Sequence, residues 1–343
     1  MATPKTVLVT GCAGFIGGNF IEQFRKNFPK TKIVGVDNFS TGRKKSPESS
    51  IIFYEGSILD ENLLEKIFSR FKPEYVFHFA ALPSVSYSLE YPRHTSEVNI
   101  AGTISLLEAS KNHGVKRFIH SSSAAVYGNT KKLPIKESKN LPDPKSPYAA
   151  QKYAGELFCK IFSELFGLDT ICLRYFNVFG PGQCGNSPYS TVVSAWLESI
   201  YFPKNKPAFI EGDGNQSRDF CYVDDVVLAN ILAMKSRRNF KGDVLNIAHG
   251  SQIKINRAKK LIEKHTGEKL LLEKRPPRPG DVRHSYADIS KARKLIGYTP
   301  RVIFEDGLRK TVEWFKSRKT REKNQPDSFN SKRRRDSAYP SSK

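Results

Sequence analysis

The chain has little that would tie it to a membrane, a metal or a disulfide framework. Its five cysteines (Cys12, Cys159, Cys172, Cys184 and Cys221) are odd in number, scattered, and form no C-x-x-C pair. That pattern argues for reduced thiols in a cytosolic compartment. The seven histidines are equally dispersed, so no metal site is expected. No apolar run approaches the ~18–20 residues of a membrane span. MATPK leads straight into the strand-like TVLVTG without a signal-peptide pattern, and a cytoplasmic location is the expectation. There is no internal repeat. Acidic residues are few, 34 against 56 lysines and arginines, which leaves a net charge of +22. That excess suits an acidic ligand such as a nucleotide, with nucleic acid as an alternative. The last 28 residues hold ten of the basic residues against three acidic ones, including Lys332-Arg333-Arg334-Arg335. Lacking apolar periodicity, residues 317–343 read as a disordered basic tail.

The first half alternates β-rich runs with helical segments: TVLVTG, GFIGGNFIEQFRKNF, KIVGVD, IIFYEG, LLEKIFSRF, YVFHFAA, an amphipathic stretch from Glu97 to Asn112, RFIHSSS, a helix around Tyr148, and DTICLRYF. This alternation predicts an α/β fold with a Rossmann-type, doubly wound parallel sheet. The second half is richer in proline and glycine. It reads as a smaller α/β lobe carrying substrate loops. The expected division is residues 1–176 for the dinucleotide-binding part and 177–316 for the lobe, with some segments returning to the sheet.

Tyr148 and Lys152 stand four apart in SPYAAQKYAGELF, 25 residues after Ser123 in HSSSAAVYG. That spacing places both on one helix face, where a lysine cation would lower a phenol pKa from its usual ~10. A tyrosine poised near neutrality suits the removal of a proton from a sugar alcohol. Tyr-x-x-x-Lys occurs two further times, as Tyr127/Lys131 beside a loop glycine and as Tyr339/Lys343 in the tail. Only the middle copy lies in a strong helical pattern.

TGCAGFIG sets Gly11, Gly14 and Gly17 after a strand and at the opening of a helix, with Phe15 and Ile16 between them. Such glycines let the backbone turn and approach a pyrophosphate, which then meets the positive helix end. The next strand ends in Asp37, 20 residues after Gly17, where a carboxylate takes ribose hydroxyls and disfavours a 2′-phosphate. NAD is therefore the expected cofactor. Arg43, Lys44 and Lys45 just downstream keep NADP as an alternative.

With these features in place, the chain resembles the extended short-chain dehydrogenases/reductases, and within them the NAD-dependent nucleotide-sugar epimerases. The resemblance spans about Thr6 to about Phe315 through TGCAGFIG, VDNFSTG, HFAAL, SSSAAVYG, SPYAAQK, LRYFNVFGPGQ, SRDFCYV and RPGDVRHSYADISK, in that order. It implies that Ser123, Tyr148 and Lys152 are catalytic and that Phe176 meets the nicotinamide. It puts Asp37, Asn38, Ser40, Thr41, Gly42, Ser57 and Ile58 around adenosine. Phe79, Ala80, Ala81 and Asn99 fall on the diphosphate side. Ser57 departs from the family's frequent aspartate, which implies weaker adenine binding. A uridine-diphosphate sugar is the implied substrate, with Ser84, Asn177, Thr191, Ala208, Phe209, Arg218, Arg278, Asp281 and Ser285 as its contacts. A homodimer built on residues 97–112 and 148–165 is also implied, with Tyr153, Leu157, Phe158 and Phe162 as its apolar face, intramolecular core being an equally good use for some of them.

Dehydratases of this family carry an acid pair directly after the catalytic serine or threonine; here those positions are Ala124 and Ala125, which transfer no proton. The implied reaction is C4 epimerisation through a 4-keto sugar with no net redox change. Ser285 falls at a position where the family varies a residue beside the hexose, and a small residue there admits an N-acetyl group. UDP-N-acetylglucosamine/UDP-N-acetylgalactosamine is the expected pair, with UDP-glucose/UDP-galactose as further substrates. UDP-glucuronate 4-epimerisation, or the activity of another nucleotide-sugar epimerase or decarboxylase of the same family, is the alternative, although Asn177 stands where the glucuronate relatives usually carry threonine. A nucleic-acid binder on the same fold would have no need to keep Ser123, Tyr148, Lys152, Arg218 and Asp281 together.

Overall fold

The structure, a computed structural model, describes residues 3–41, 51–185, 190–203, 208–276 and 283–324. Its centre is a seven-stranded, all-parallel sheet. Six of its strands are β1 (Thr6–Thr10), β2 (Lys32–Asp37), β3 (Ile52–Glu55), β4 (Tyr75–His78), β5 (Arg117–Ser123) and β6 (Thr170–Tyr175). The seventh, Asp243–Ile247, comes from the second half and pairs with β6. From that edge the order runs through β6, β5, β4, β1 and β2 to β3. The chain thus winds outward from β1 in both directions, and ligands of such sheets bind at the reversal beside β1 and β4.

Both faces of the sheet are covered, which is why its strands read as near-continuous apolar runs. Val7, Val9, Ile33, Phe77, Ile119, Ile171 and Leu173 pack in one core. Their neighbours Leu8, Val34, Val36, Val76, Phe118 and Cys172 pack in another, as the two-residue period of a strand requires. Helix α1 (Phe15–Asn27) buries Gly17, Phe20, Ile21 and Phe24 along one face. The helix Pro147–Phe166 starts where Ser146 accepts a hydrogen bond from Ala149 N at 3.2 Å, with Pro147 in the first turn, and ends at Gly167 in the left-handed conformation. The helix Val223–Lys235 returns to pack on α1, where Gln23 Nε2 donates to Asp224 Oδ1 at 2.6 Å.

Most of the remaining second-half elements form a third core, while the helix Ser290–Ile296 packs Ala292 and Ile296 into the first. Helices Val192–Tyr201, Ile255–Thr266 and Phe304–Asn324 pack around Trp196, Leu197, Tyr222, Ile262, Leu308 and Phe315. Phe209–Glu211 pairs in parallel with Glu273–Arg275, and Ser217–Arg218 pairs antiparallel with Ile253–Lys254.

Three expectations change here. The tail does not begin at residue 317: the last helix continues to Asn324, and Arg318 is buried against Glu198. The stretch from Glu97 to Asn112 is not one regular helix, because a π-helical turn at Glu97–Ala101 precedes the α-helix Gly102–Asn112. Phe162 lies in the core rather than on an outer face, and the exposed stripe of its helix is Leu157, Ile161 and Leu165.

Candidate active site

A cavity of about 980 Å³ opens at the carboxyl ends of the strands, beside the reversal of strand order. Its first wall is the turn between β1 and α1. Gly11 has φ +68°, and a Cβ there would lie 2.6 Å from Ala80 N. A Cβ on Gly17 would lie 2.1 Å from Gly11 O, so only glycine lets helix and turn meet. Gly14 caps α1 without a side-chain hydrogen bond, leaving the first amides of the helix to an anion at the cavity wall. Asp37 closes β2 and ties down the same turn: Oδ2 accepts from Ala13 N at 2.9 Å and Oδ1 from Phe39 N at 2.8 Å. Burial raises its pKa, and these amides work against that shift.

Around this turn the wall includes Phe15, Ile16, Asn38, Ser40, Thr41, Ser57, Ile58, Phe79, Ala80 and Ala81. The Ser57 hydroxyl accepts from Leu59 N at 3.1 Å and keeps its own proton to donate. Gly42, Arg278 and Asp281 lie outside the described residues, as do Arg43, Lys44 and Lys45.

The far end brings Ser123, Tyr148 and Lys152 together on the cavity wall. β5 ends at Ser123, whose Oγ accepts from Ala125 N at 3.2 Å and hydrogen-bonds Tyr148. Tyr148 N donates to Ser88 Oγ at 3.1 Å, fixing the start of its helix. One turn on, Lys152 Nζ donates to Ser121 O at 2.9 Å. Burial raises the Tyr148 pKa and the Ser123 hydrogen bond lowers it. Burial pushes Lys152 down to about 8. An ammonium carries three N–H donors, and this one spends a single donor on the protein. Two remain at the cavity wall, which fits a ribose with paired hydroxyls.

The substrate side gathers Asn177, Thr191, Arg218 and Ser285. Asn177 Nδ2 donates to Asp219 O at 3.1 Å, and Arg218 Nη1 to Ser217 O at 3.0 Å. Asp219 itself accepts from His249 N, Gly250 N and Ala287 N, pinning two segments beside Arg218 and Ser285. Ser285 is small, 8% exposed, and anchored through its own N–H to Ser217 O at 3.2 Å. Among the described residues the cavity wall carries two carboxylates, Glu22 and Asp37, both on the α1 and β2 side. Ala124 and Ala125 line it next to Ser123.

Five expected contacts lie behind the wall. Asn99 is 2% exposed, with Nδ2 donating to Leu82 O and Gln151 Oε1 and Oδ1 accepting from Leu82 N, so it braces the loop after β4. Phe176 is fully buried in the core, while its neighbours Tyr175 and Asn177 face the cavity. Ser84 caps the helix Val85–Glu90 by accepting from Tyr87 N at 3.0 Å. Ala208 is buried and accepts from Glu273 N, while the Phe209 ring lies 3.9 Å under the Arg275 guanidinium. Conversely Lys145, Gln183, Cys184 and Trp314 line the cavity without having been expected. Lys145 and the Gln183-Cys184 pair adjoin motifs already noted, whereas no local pattern marks Trp314, which the C-terminal helix delivers from far along the chain.

A doubly wound sheet with a glycine turn at its reversal, and Ser123, Tyr148 and Lys152 at the other end of one cavity, defines a dinucleotide-dependent enzyme of the short-chain dehydrogenase/reductase type. Comparison with known proteins narrows this: the chain belongs to the NAD-dependent epimerase/dehydratase family, whose pattern matches residues 7–248. It is similar to the UDP-glucose 4-epimerase of Thermotoga maritima, solved with UDP-glucose, at 40% identity and a TM-score of 0.85 over 91% of this chain and 99% of that one. The UDP-N-acetylglucosamine 4-epimerase of Methanobrevibacter ruminantium, solved with UDP-N-acetylmuramic acid, shows 39% identity and a TM-score of 0.84 over 92% and 100%. A UDP-glucuronate 4-epimerase of Thermodesulfobacterium geofontis is 34% identical over 90% of this chain and 95% of its own. Among the described residues no helix is long and apolar enough to cross a membrane, and no cluster of side chains suits a metal ion.

Proposed function

We propose that the protein interconverts UDP-N-acetylglucosamine and UDP-N-acetylgalactosamine, with UDP-glucose and UDP-galactose as further substrates. The coarser activity is NAD-dependent 4-epimerisation of a UDP-sugar, an isomerisation. Ser285 carries the choice of sugar: its small side chain on the cavity wall leaves room for an N-acetyl group. The chemistry that bound NAD would supply is reversible acceptance of a hydride at C4 of the sugar. The chain's own residues do the rest. Gly11, Gly14, Gly17, Asp37 and Lys152 would hold the dinucleotide. Tyr148 takes the O4 proton and gives it back, and Ser123 hydrogen-bonds that oxygen and the phenol. Asn177 and Arg218 hold the diphosphate, so the sugar turns about a fixed anchor and presents its other face. The absence of a described carboxylate beside Ser123 supports epimerisation over elimination.

We also read the protein as a cytoplasmic homodimer. The five free thiols support the compartment. The stripe of Leu157, Ile161 and Leu165, exposed by 44%, 42% and 73%, supports pairing through that helix. Incubating the protein with UDP-glucose, UDP-galactose, UDP-N-acetylglucosamine and UDP-glucuronate, and resolving the epimers, tests the reading. Turnover of UDP-glucuronate alone would overturn the choice of sugar, and turnover of none would overturn the activity.

A further inference from the structure

The C-terminal helix ends in a polar, strongly basic stretch, yet Arg318 within it is only 8% exposed. Its guanidinium grips Glu198 with two prongs, Nη1 to Oε2 at 2.7 Å and Nη2 to Oε1 at 3.1 Å. It also lies 4.1 Å over the Phe202 ring and donates from Nε to Glu322 Oε1 at 2.9 Å. Glu198 is 2% exposed, and the fork supplies two charge-assisted hydrogen bonds to its buried carboxylate. The same Oε2 accepts a second hydrogen bond, from Gly185 N at 3.3 Å. Gly185 is held so closely that a Cβ would lie 2.1 Å from Ser194 O. The two residues before it, Gln183 and Cys184, line the cavity together with Thr191. Gln183 Oε1 accepts from Thr191 Oγ1 at 2.8 Å and from Ser194 Oγ at 2.9 Å. Contacts thus run unbroken from the last helix, through a buried ion pair, to the loop that closes the substrate side.

We propose that Arg318 is a positioning residue for the nucleotide sugar, acting through Glu198 and Gly185 on the loop Gly180–Gly185. It touches neither substrate nor cofactor. Its fork fixes the carboxylate that fixes the loop, and the loop sets the width of the cavity around Gln183, Cys184 and Thr191. Losing the fork weakens capture of the nucleotide sugar and leaves proton transfer at Tyr148 unchanged.

The inference rests on the UDP-sugar reading. Wild-type turnover tests that reading, and the ratio of variant to wild type tests the inference. The experiment compares the full NAD-loaded chain with Arg318→Met, Arg318→Lys and the double variant Arg318→Met/Glu198→Gln, which removes the stranded buried charge. KM and kcat, the Kd for UDP by calorimetry, and Tm are measured for each. KM and the UDP Kd should rise about tenfold in Arg318→Met with kcat within about twofold, as a displaced binding loop requires. Both should stay raised in the double variant even where its Tm returns to the wild-type value. Arg318→Lys keeps the charge without the fork and should raise both by a smaller factor. A purely structural role predicts that KM follows Tm. Recovery of KM with Tm in the double variant, an unchanged UDP Kd in any folded variant, or a loss confined to kcat would each overturn the proposal.

Discussion

Replacing Lys152 with methionine should abolish turnover while leaving the NAD-free protein at least as stable as the wild type. The reason lies in what surrounds the ammonium. Lys152 is 5% exposed and makes one hydrogen bond, to Ser121 O at 2.9 Å. The groups nearest it do little to offset its charge. His78 and His120 are kept neutral by burial, Cys159 and Cys172 are buried thiols, and Glu156 is already committed to Arg174 through contacts of 2.8 and 2.6 Å. Burial therefore lowers Lys152 from the usual 10.5 to about 8. That displacement corresponds to ~3 kcal/mol of penalty on the charged form. Its sign follows from proton counts. Between the two pKa values the unfolded chain holds the proton and the folded chain does not, so stability rises with pH across that window. The penalty is full below pH 8 and fades as pH climbs toward 10.5. Methionine fills similar volume without charge, and the cost on the other side is the carbonyl of Ser121, left without its donor at about 1–3 kcal/mol. The variant should thus lie between equal stability and a gain of ~2 kcal/mol at pH 7. Denaturant titrations at pH 7 and 9.5 on both NAD-free proteins provide the assay, and the difference between them should move by about 2 kcal/mol in favour of the wild type as pH rises. A variant that is less stable by ~2 kcal/mol or more at pH 7, with a pH slope equal to that of the wild type, would refute the reasoning, because the lysine would then be a net stabilising group.

Tyr148→Phe should lower kcat by about 10² to 10⁴ while UDP binding by calorimetry stays within about twofold, since only the proton acceptor is lost; near-normal turnover would contradict its role. Ser285→Tyr should suppress turnover of the N-acetyl sugar and spare UDP-glucose, and equal loss on both sugars would show that this wall does not choose between them. Because the same NAD must serve each cycle, it should copurify with the wild type, and Gly17→Ala, which places a methyl 2.1 Å from Gly11 O, should lose it, read as absorbance of the released nucleotide. Leu157→Arg together with Ile161→Arg should shift the protein to a monomer in light scattering, whereas an unchanged mass would remove this helix as the interface.

The sheet was legible because its strands are buried on both faces and therefore apolar throughout, with glycine and Asp37 marking the turns. Ser123, Tyr148 and Lys152 were legible because a strand end and a capped helix place them by local rules alone. Where expected contacts lie behind the wall, the cause is shared: sequence shows which segment reaches the cavity but not which neighbour in it points inward. Phe176 turns into the core while Tyr175 and Asn177 face the cavity, as alternation at a strand end dictates once the register is known. Asn99 reaches the site's neighbourhood but spends its amide on Leu82 and Gln151, within a π-helical turn that no periodicity announces. Ser84 spends its hydroxyl on a helix start. Trp314 and Arg318 were missed for the opposite reason, since the last helix looks solvated and only the third core reveals its buried face.

The cavity's two ends are satisfied unevenly, and the difference bears on what the enzyme can do. Behind the wall, Glu156 accepts from Ser122 and twice from Arg174, and the Tyr127 hydroxyl donates to Asn246 Oδ1, whereas both ring nitrogens of the buried His120 find no partner among the described residues. On the wall, Lys152 keeps two donors unspent, and Tyr148 meets Ser123. Stability is given up at Lys152, where charge must be available to bound ligands. The proton inventory there is correspondingly narrow, a phenol, a hydroxyl and an ammonium, with Ala124 and Ala125 in place of acids. A site so equipped can take a proton from a sugar hydroxyl and return it, but it has no described acid beside Ser123 to expel a hydroxyl. On the proposed reading, product identity would follow from room to turn rather than from further chemistry, and a small residue such as Ser285 would carry more of the specificity than any ionisable group near it.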